Sequence, residues 1–401
     1  MLELEDAVAR ILAAIPEPSS ESIPLRDAYT RILREEILSP IDLPGFDNSS
    51  VDGYAVKAAE VAAALASHGV QLHATARVAA GEPPPKGQLP GHCVRVFTGA
   101  PLPPGADAVV MQEDTRMHPD QPGDVWIHDP VKPWENVRFR GEDVRIGARL
   151  GAPGEVLGAA HQSLLAAVGR ETVTVARRPV VGLLATGSEL LEPGRPLTAG
   201  RIYESNRVGL ATLAVGAGAA VNMFPIVSDS LEATLSAIEE ALEQCDTLVT
   251  TGGVSVGEMD FVKAAWEKLG GKLDFWKVSV KPGRPFAFGR RGRKFLFGLP
   301  GNPVSAFVTF LLLVRPALRH WQGAGQIGLA THPGRLSEPL ANAGSRRHFM
   351  RVALDANGAV HAAGTQASHI LSSLAGANGL LDVPPQTTLA EGTTVSVLRW
   401  E

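Results

Sequence analysis

Leu4, Val8, Ile11, Leu12 and Ile15 recur at helical spacing and stop before Pro16-Glu17-Pro18, predicting an amphipathic N-terminal helix. A second helical pattern runs from Asp27 to Ile37. Pro40, Pro44 and Gly45 then break the chain. Between Val51 and Ile146, alternating segments such as VQLHATARV, CVRVF and DVWIHDPV lie between Pro and Gly turns, which predicts a β-rich unit. From Gly147 to Val175 a small-residue helical segment, AAHQSLLAAV, leads into the alternating ETVTV. If that stretch returns to the first two helices, the first unit is discontinuous.

Pro179 opens the clearest pattern, in which VVGLLAT, NRVGLATLAV and AAVNMFPIV read as strand, helix and strand. Asp229 to Gln244 is a periodic helix, DTLVT a short buried strand, FVKAAWEKL a helix, FWKVSV and KFLFG strands, and Pro303 to Leu318 a helix. This alternation implies an α/β fold, a doubly wound, mostly parallel sheet with helices on both faces. Ligands of such sheets sit beyond the carboxyl ends of the strands. After Trp321-Gln322-Gly323-Ala324-Gly325, alternating text returns (HFMRVAL, AVHAAG, TTVSVLRW) and predicts a small C-terminal β-domain.

Composition narrows the function classes. With 401 residues, 45% apolar and 20% charged, the chain reads as folded protein of about two to four domains. Its longest nearly uninterrupted apolar run, Ala306 to Val314, is far short of the ~20 residues a spanning helix needs. The N-terminus carries acids where a signal peptide has bases, and Cys93 and Cys245 cannot make a disulfide scaffold, so a cytoplasmic location is expected. Thirty-seven basic against 42 acidic residues give net −5, which argues against nucleic acid and for a small-molecule substrate. No Walker A motif occurs, no G-x-G-x-x-G follows a strand, and the histidines show no zinc spacing. Cys93 reads as a small buried strand residue.

Three polar loops follow apolar strands. In Thr186-Gly187-Ser188-Glu189, Glu189 either points a carboxylate from the strand end, or Thr186 and Ser188 simply cap the next element. Thr250 to Gly257 is glycine-rich, with Gly252, Gly253, Ser255 and Gly257, and suits a phosphate at a helix N-terminus. Asp260 just after it either caps the following helix or holds Mg²⁺ beside a phosphate. In FWKVSVKPGRPFAFG, period two places Lys277 and Lys281 on one face, either as anion ligands or as a solvated edge; Arg284 adds a planar anion contact. Asn302 and Pro303 have a structural explanation as N-cap and N1 of the last helix. Asp229 and Glu232 read as a capping box or as a site carboxylate. Asp47 to Tyr54 reads on composition as a turn.

Taken together these motifs resemble the molybdopterin molybdenumtransferase family, which is related to the C-terminal domain of gephyrin. The matching text is LPGFDNSSVDGYAV, VRVFTGAPLPPGADAVVMQED, NVRFRGEDV, LLATGSEL, IYESNR, TTGGVSVGEMDF, KVSVKPGRPFAFG, GLPGNPVSA and GTQASHILSSL, in order across about nine-tenths of the chain. TTGGVSVGEMD alone is shared with molybdopterin adenylyltransferase-like domains; DNSSVDGYA and FTGAPLPPGAD select the family.

The resemblance implies four domains: a discontinuous linker and dimerisation domain (1–41 plus 142–178), a β-rich domain (42–141), the α/β molybdopterin-binding domain (179–322) and a barrel-like C-terminal domain (323–401). It implies a homodimer with its site completed by the second subunit, transient contact with the adenylyltransferase, and insertion of molybdate into adenylylated molybdopterin with Mg²⁺-dependent release of AMP. Matched motif by motif, the functional positions fall on Asp52, Thr98, Arg138, Asp143, Glu189, Asp229, Asp260, Lys277, Lys281, Pro300, Pro303 and Ser368. Glu189, Asp229 and Asp260 are expected around pterin, phosphates and Mg²⁺, and Lys277 and Lys281 on molybdate or phosphate. Asp52, Thr98, Arg138 and Asp143 are expected to close the cleft. Thr186, Gly187, Ser188, the glycine-rich loop and Asn302 complete the substrate-binding set. An expected C-terminal arginine is either Arg346 or Arg347, and Ala367 stands where the family has Gly. Alternatives are adenylylation of molybdopterin, a non-catalytic scaffold on the same fold, and tungstate in place of molybdate.

Overall fold

The computed structural model describes residues 1–87, 89–117, 121–253 and 261–400. Its centre is an α/β domain whose three central strands are apolar runs buried on both faces, as expected of parallel strands covered by helices. In chain order it comprises β1 (Val180–Ala185), α1 (Asn206–Gly216), β2 (Ala220–Met223), α2 (Leu231–Gln244), β3 (Thr247–Thr251) and α3 (Phe261–Lys268). Then follow β4 (Lys272–Trp276), β5 (Ala287–Arg291), β6 (Lys294–Leu299) and α4 (Pro303–Thr309). The sheet order is β2-β1-β3-β6-β5-β4, parallel except for β5, which runs antiparallel to both its neighbours.

Pleating sends alternate side chains to opposite layers. Val181 and Leu183 pack with Leu210 and Ala214 of α1 and Val304 of α4, whereas Leu184 packs with Ile238 and Ala241 of α2 and Val262 and Ala265 of α3. The register aligns Ala185 with Thr251 and Thr251 with Leu299. Three strands therefore end side by side, and the loops beginning at Thr186, Gly252 and Pro300 leave from one edge.

The N-terminal helix forms over Leu4–Ala14, but it departs from the expected grouping with residues 142–178. Leu4, Ala7, Ile11 and Ile15 are buried in the α/β core with Leu318 and Trp321. The second expected helix, from Asp27 to Ile37, does not form. Thr30 takes φ 62°, which a helix cannot continue through, and Leu33 instead bridges Val175 with its amide bonded to Glu155 O at 2.8 Å. Ser20–Pro24 pairs with Thr172–Ala176, and Ile37–Leu38 with Arg149–Gly151, so distant segments share one small core.

Residues Gly53–Val56, Val70–Val78, His92–Val96, Ala108–Met111, Thr115–Met117 and Asp124–Ile127 form a six-stranded sheet. Cys93 is fully buried in it, and burial pushes its thiol up to about 12. At the C-terminus, Arg347–Leu354 pairs with both Ala359–Ala362 and Gly379–Val383. The circuit closes through Ala330–Leu336 and Thr394–Arg399 into a small barrel. Among the described residues, no helix is long and apolar enough to cross a membrane.

Candidate functional site

The loops at the shared strand edge enclose a cavity of about 650 Å³ lined by Thr186, Glu189, Gly252, Gly253, Pro300 and Asn302, among others. Thr186 N donates to Thr251 O at 3.1 Å and Gly252 N to Leu299 O at 3.3 Å, which continues the sheet's bonding into the loops. Glycine is required at 252: its φ is +80°, and a Cβ there would lie 2.6 Å from Thr186 O. Glu189 lines this cavity. The Thr186 hydroxyl, a buried oxygen on a residue of the cavity wall, has no hydrogen-bond partner among the described residues.

Asp229 acts from behind this wall. Its Oδ2 accepts the Ser188 amide at 2.8 Å, and the Ser188 hydroxyl accepts the Asp229 amide at 3.0 Å. The capping-box reading is corrected: Ser230 is the N-cap of α2 and accepts from Ala233 N. Asp229 is thereby free to brace the Gly187-Ser188 turn. Asn302 does precede α4, with Pro303 at its first turn, but its side chain caps nothing. Its Nδ2 donates to the Ser368 hydroxyl at 3.2 Å instead.

That bond leads into a second cavity of about 610 Å³, lined by Lys281, Arg284, Ser305, Arg346, Gln366 and Ser368, among others. It shares Pro285, Asn302 and His369 with the first, so the two adjoin. No acidic residue is among its described lining. Burial, then the charge of Arg284, lowers the pKa of Arg346, whose Nη1 donates to Val280 O at 2.8 Å. Of the two expected arginines, Arg346 lines the cavity. Arg347 points elsewhere, held by Asp382 and Glu5 at 2.5 Å each, and its pKa is raised chiefly by the Asp382 hydrogen bond.

Arg351, which the sequence reading did not single out, is completely buried without a carboxylate partner among the described residues. It donates to the carbonyls of Thr365 (2.7 Å), Gln366 (3.3 Å) and Ala367 (3.2 Å), and so fixes the loop bearing Ser368. Ala367 is not among the residues with positive φ, so its replacement of the family's Gly carries no strain. His348 lies beneath this half; burial, then Lys281, Arg351 and Arg346, push its pKa down to about 4.

The expectation that Lys277 and Lys281 share a strand face is corrected. β4 ends at Trp276, and Lys277 takes φ 142° as the chain turns out of the sheet. Lys281 is taken up by the barrel, paired with His348, and of the two lysines it is the one that lines either of these cavities. Asp52, Thr98 and Arg138 lie on the β-rich unit and Asp143 just past its end, and none of the four lines either cavity. Asp52 accepts both the Thr98 amide and hydroxyl at 2.8 Å, bonds that lower its pKa with a smaller contribution from Arg95. Arg138 is exposed on a two-residue strand paired with Asn48–Ser49, and Asp143 is exposed nearby in the chain. Ser255, Gly257 and Asp260 lie outside the described residues.

Sequence reasoning also passed over Glu204, Asn206 and His369, which line the first cavity. They stand in the quoted segments IYESNR and GTQASHILSSL, but nothing in spacing distinguishes a buried Glu204 from a solvated one.

Family models match three successive regions: the MoeA N-terminal region (domain I and II) over residues 2–169, a probable molybdopterin binding domain over 182–320, and the MoeA C-terminal region (domain IV) over 333–400. The chain is 36% identical to the molybdopterin molybdenumtransferase of Haemophilus influenzae, covering 99% of this chain and 98% of that one. It is 36% identical to that of Bacillus subtilis over 80% of this chain and 75% of the relative. The crystal structure of a molybdopterin biosynthesis MoeA protein from Pyrococcus horikoshii superposes with a TM-score of 0.83 at 32% identity, covering 100% of this chain and 99% of that one. Full-length similarity in sequence and in architecture thus joins the loop geometry, and the chain belongs to the molybdopterin molybdenumtransferase family.

Proposed function

We propose that this protein inserts molybdate into adenylylated molybdopterin, releasing AMP. The observation that carries the reading is the adjacency of two unlike cavities, one walled by loops, hydroxyls and the carboxylates of Glu189 and Glu204, the other by Lys281, Arg284 and Arg346 with no acid among its described lining. The first suits a pterin with a pyrophosphate, and the second an oxyanion beside it. Lys281 and Arg346 attract molybdate electrostatically, Ser368 offers it a hydroxyl, and Arg351 holds the Ser368 loop in place. Tungstate has the same charge and shape, and these groups accept either.

Glu189 and the Thr186 hydroxyl fit Mg²⁺, which takes one or two carboxylates and fills its shell with water and phosphate oxygens. No group of three or more acidic, His or Cys ligands occurs among the described residues, so the fit is to this sparse kind of site. Bound there, the ion would neutralise pyrophosphate charge as the anhydride breaks. Asp229 keeps the Glu189 loop positioned through Ser188; Asp260 is a further ligand in this proposal. Asp52, Thr98, Arg138 and Asp143 close the site from the second subunit of a homodimer, since within one chain they line neither cavity.

The test is AMP release from the purified protein given adenylylated molybdopterin and Mg²⁺, with and without molybdate. Molybdate-dependent AMP is expected. ATP-dependent adenylylation of unmodified molybdopterin, with pyrophosphate released, would replace this reading.

A further inference from the structure

We infer that Arg207, acting through Glu204, is a positioning residue for the pterin-nucleotide half of the site, an inference that rests on the function proposed above. Arg207 and Glu204 are only 5% and 3% exposed. Arg207 Nε donates to Glu204 Oε2 at 2.9 Å, Nη2 to Glu192 Oε1 at 2.7 Å, and Nη1 to the Phe224 carbonyl. One guanidinium thus faces two carboxylates. Burying the Arg207–Glu204 pair adds little net stability over apolar packing, and what it supplies here is a fixed geometry.

Glu204 Oε1 also accepts the amides of Asn206 at 2.7 Å and Arg207 at 3.0 Å, which pins the turn entering α1. Two routes lead from that turn to the cavity. Tyr203, Ser205 and Asn206 line it directly, and Asn206 Nδ2 donates to Gly301 O at 2.8 Å, tying the turn to the loop after β6. Just before it, Ile202–Tyr203 pairs with Leu190–Leu191, which directly follow Glu189. Ile202 and Tyr203 line the cavity with 56% and 43% of their surface exposed, offering apolar area to a planar ring. No residue between 189 and 207 lines the cationic cavity. Loosening the network therefore acts on one substrate and spares the other.

The experiment measures KM for adenylylated molybdopterin and for molybdate separately in wild type, Arg207→Lys and Asn206→Ala, with thermal unfolding of each. Arg207→Lys keeps the charge but lacks the planar fork that meets Glu204, Glu192 and the Phe224 carbonyl at once, and is expected to raise the first KM about tenfold or more. Asn206→Ala leaves the buried charges in place and is expected to raise it about fivefold, as for one lost hydrogen bond. The KM for molybdate stays within about twofold in both, the split that separates positioning from general loss of structure. Parallel rises for both substrates, or wild-type values in folded Arg207→Lys and Asn206→Ala, overturn the inference. Absence of turnover in wild type instead overturns the proposed function, and this inference with it.

Discussion

The two halves of the cavity are built by different means. The half bearing Thr186, Glu189, Gly252 and Pro300 is assembled by register: three parallel strands end level, and backbone bonds carry that alignment into the loops. The half bearing Lys281, Arg346 and Ser368 is assembled by docking, with Lys281 added as a strand beside the barrel and Ser368 meeting Asn302 across the junction. The first gathers uncharged groups and two carboxylates, Glu189 and Glu204; the second gathers cations with no acid among its described lining. A ligand that must carry both a metal-neutralised pyrophosphate and an oxyanion needs both kinds of wall, and neither domain supplies both alone.

The comparison breaks most sharply at Glu189. Glu189→Gln retains shape while removing the carboxylate of the register-built half that Arg207 does not hold, and kcat is expected to fall about 10²–10³-fold, the range for losing a preorganised charge-stabilising group. Titrating Mg²⁺ in the AMP assay checks it: the variant should need more metal than wild type, and an unchanged requirement would remove Glu189 from the metal.

On the cationic side, acid should expose the lack of compensation. His348 is held neutral, with its pKa near 4 against an ordinary 6.5, by burial and by Lys281, Arg351 and Arg346. The unfolded chain binds this proton first as pH falls. The stability tied to neutral His348 is therefore fully present above pH 6.5 and is lost between 6.5 and 4. A depression of that size corresponds to about 3 kcal/mol across the window. Denaturant unfolding of wild type and His348→Asn at pH 7 and 4.5 measures it, and wild type should lose more stability than the variant. A smaller effect, about 30-fold in KM for molybdate, is expected of Lys281→Ala, as for one charged hydrogen bond. An unchanged molybdate response would remove Lys281 from the oxyanion.

The same division explains what the sequence revealed. VVGLLAT, DTLVT and KFLFG announce strands, and the polar residues after them announce the first half of the site, because register is a local property repeated at each strand. Lys277 and Lys281 read as one face because period two assumes an unbroken strand; the turn at Lys277 is set by where Val278 and Lys281 find partners in other parts of the chain. Arg346, Arg347 and Arg351 are three arginines in six residues, and only the barrel's closure decides which faces the cavity, which pairs with Asp382 and which is buried. Asp229 misled for a subtler reason. An Asp three residues before a Glu satisfies the capping pattern, but Ser230 won the cap, and no pattern reports that Ser188 would be within reach.

The mildest test concerns that last pair. Ser188→Ala deletes the hydroxyl that accepts the Asp229 amide but leaves the Asp229 carboxylate on the Ser188 amide. One of two reciprocal bonds is lost at a partly exposed turn, where a hydrogen bond contributes about 0.5–1.5 kcal/mol. The KM for adenylylated molybdopterin should therefore rise about two- to tenfold while the molybdate KM stays at the wild-type value. Ser188 belongs to the register-built half, so the sign of interest is the asymmetry rather than the size. If the molybdate KM rose by the same factor, the two halves would be mechanically coupled through the loops, and the division of the site into a register-built wall and a docked one would fail.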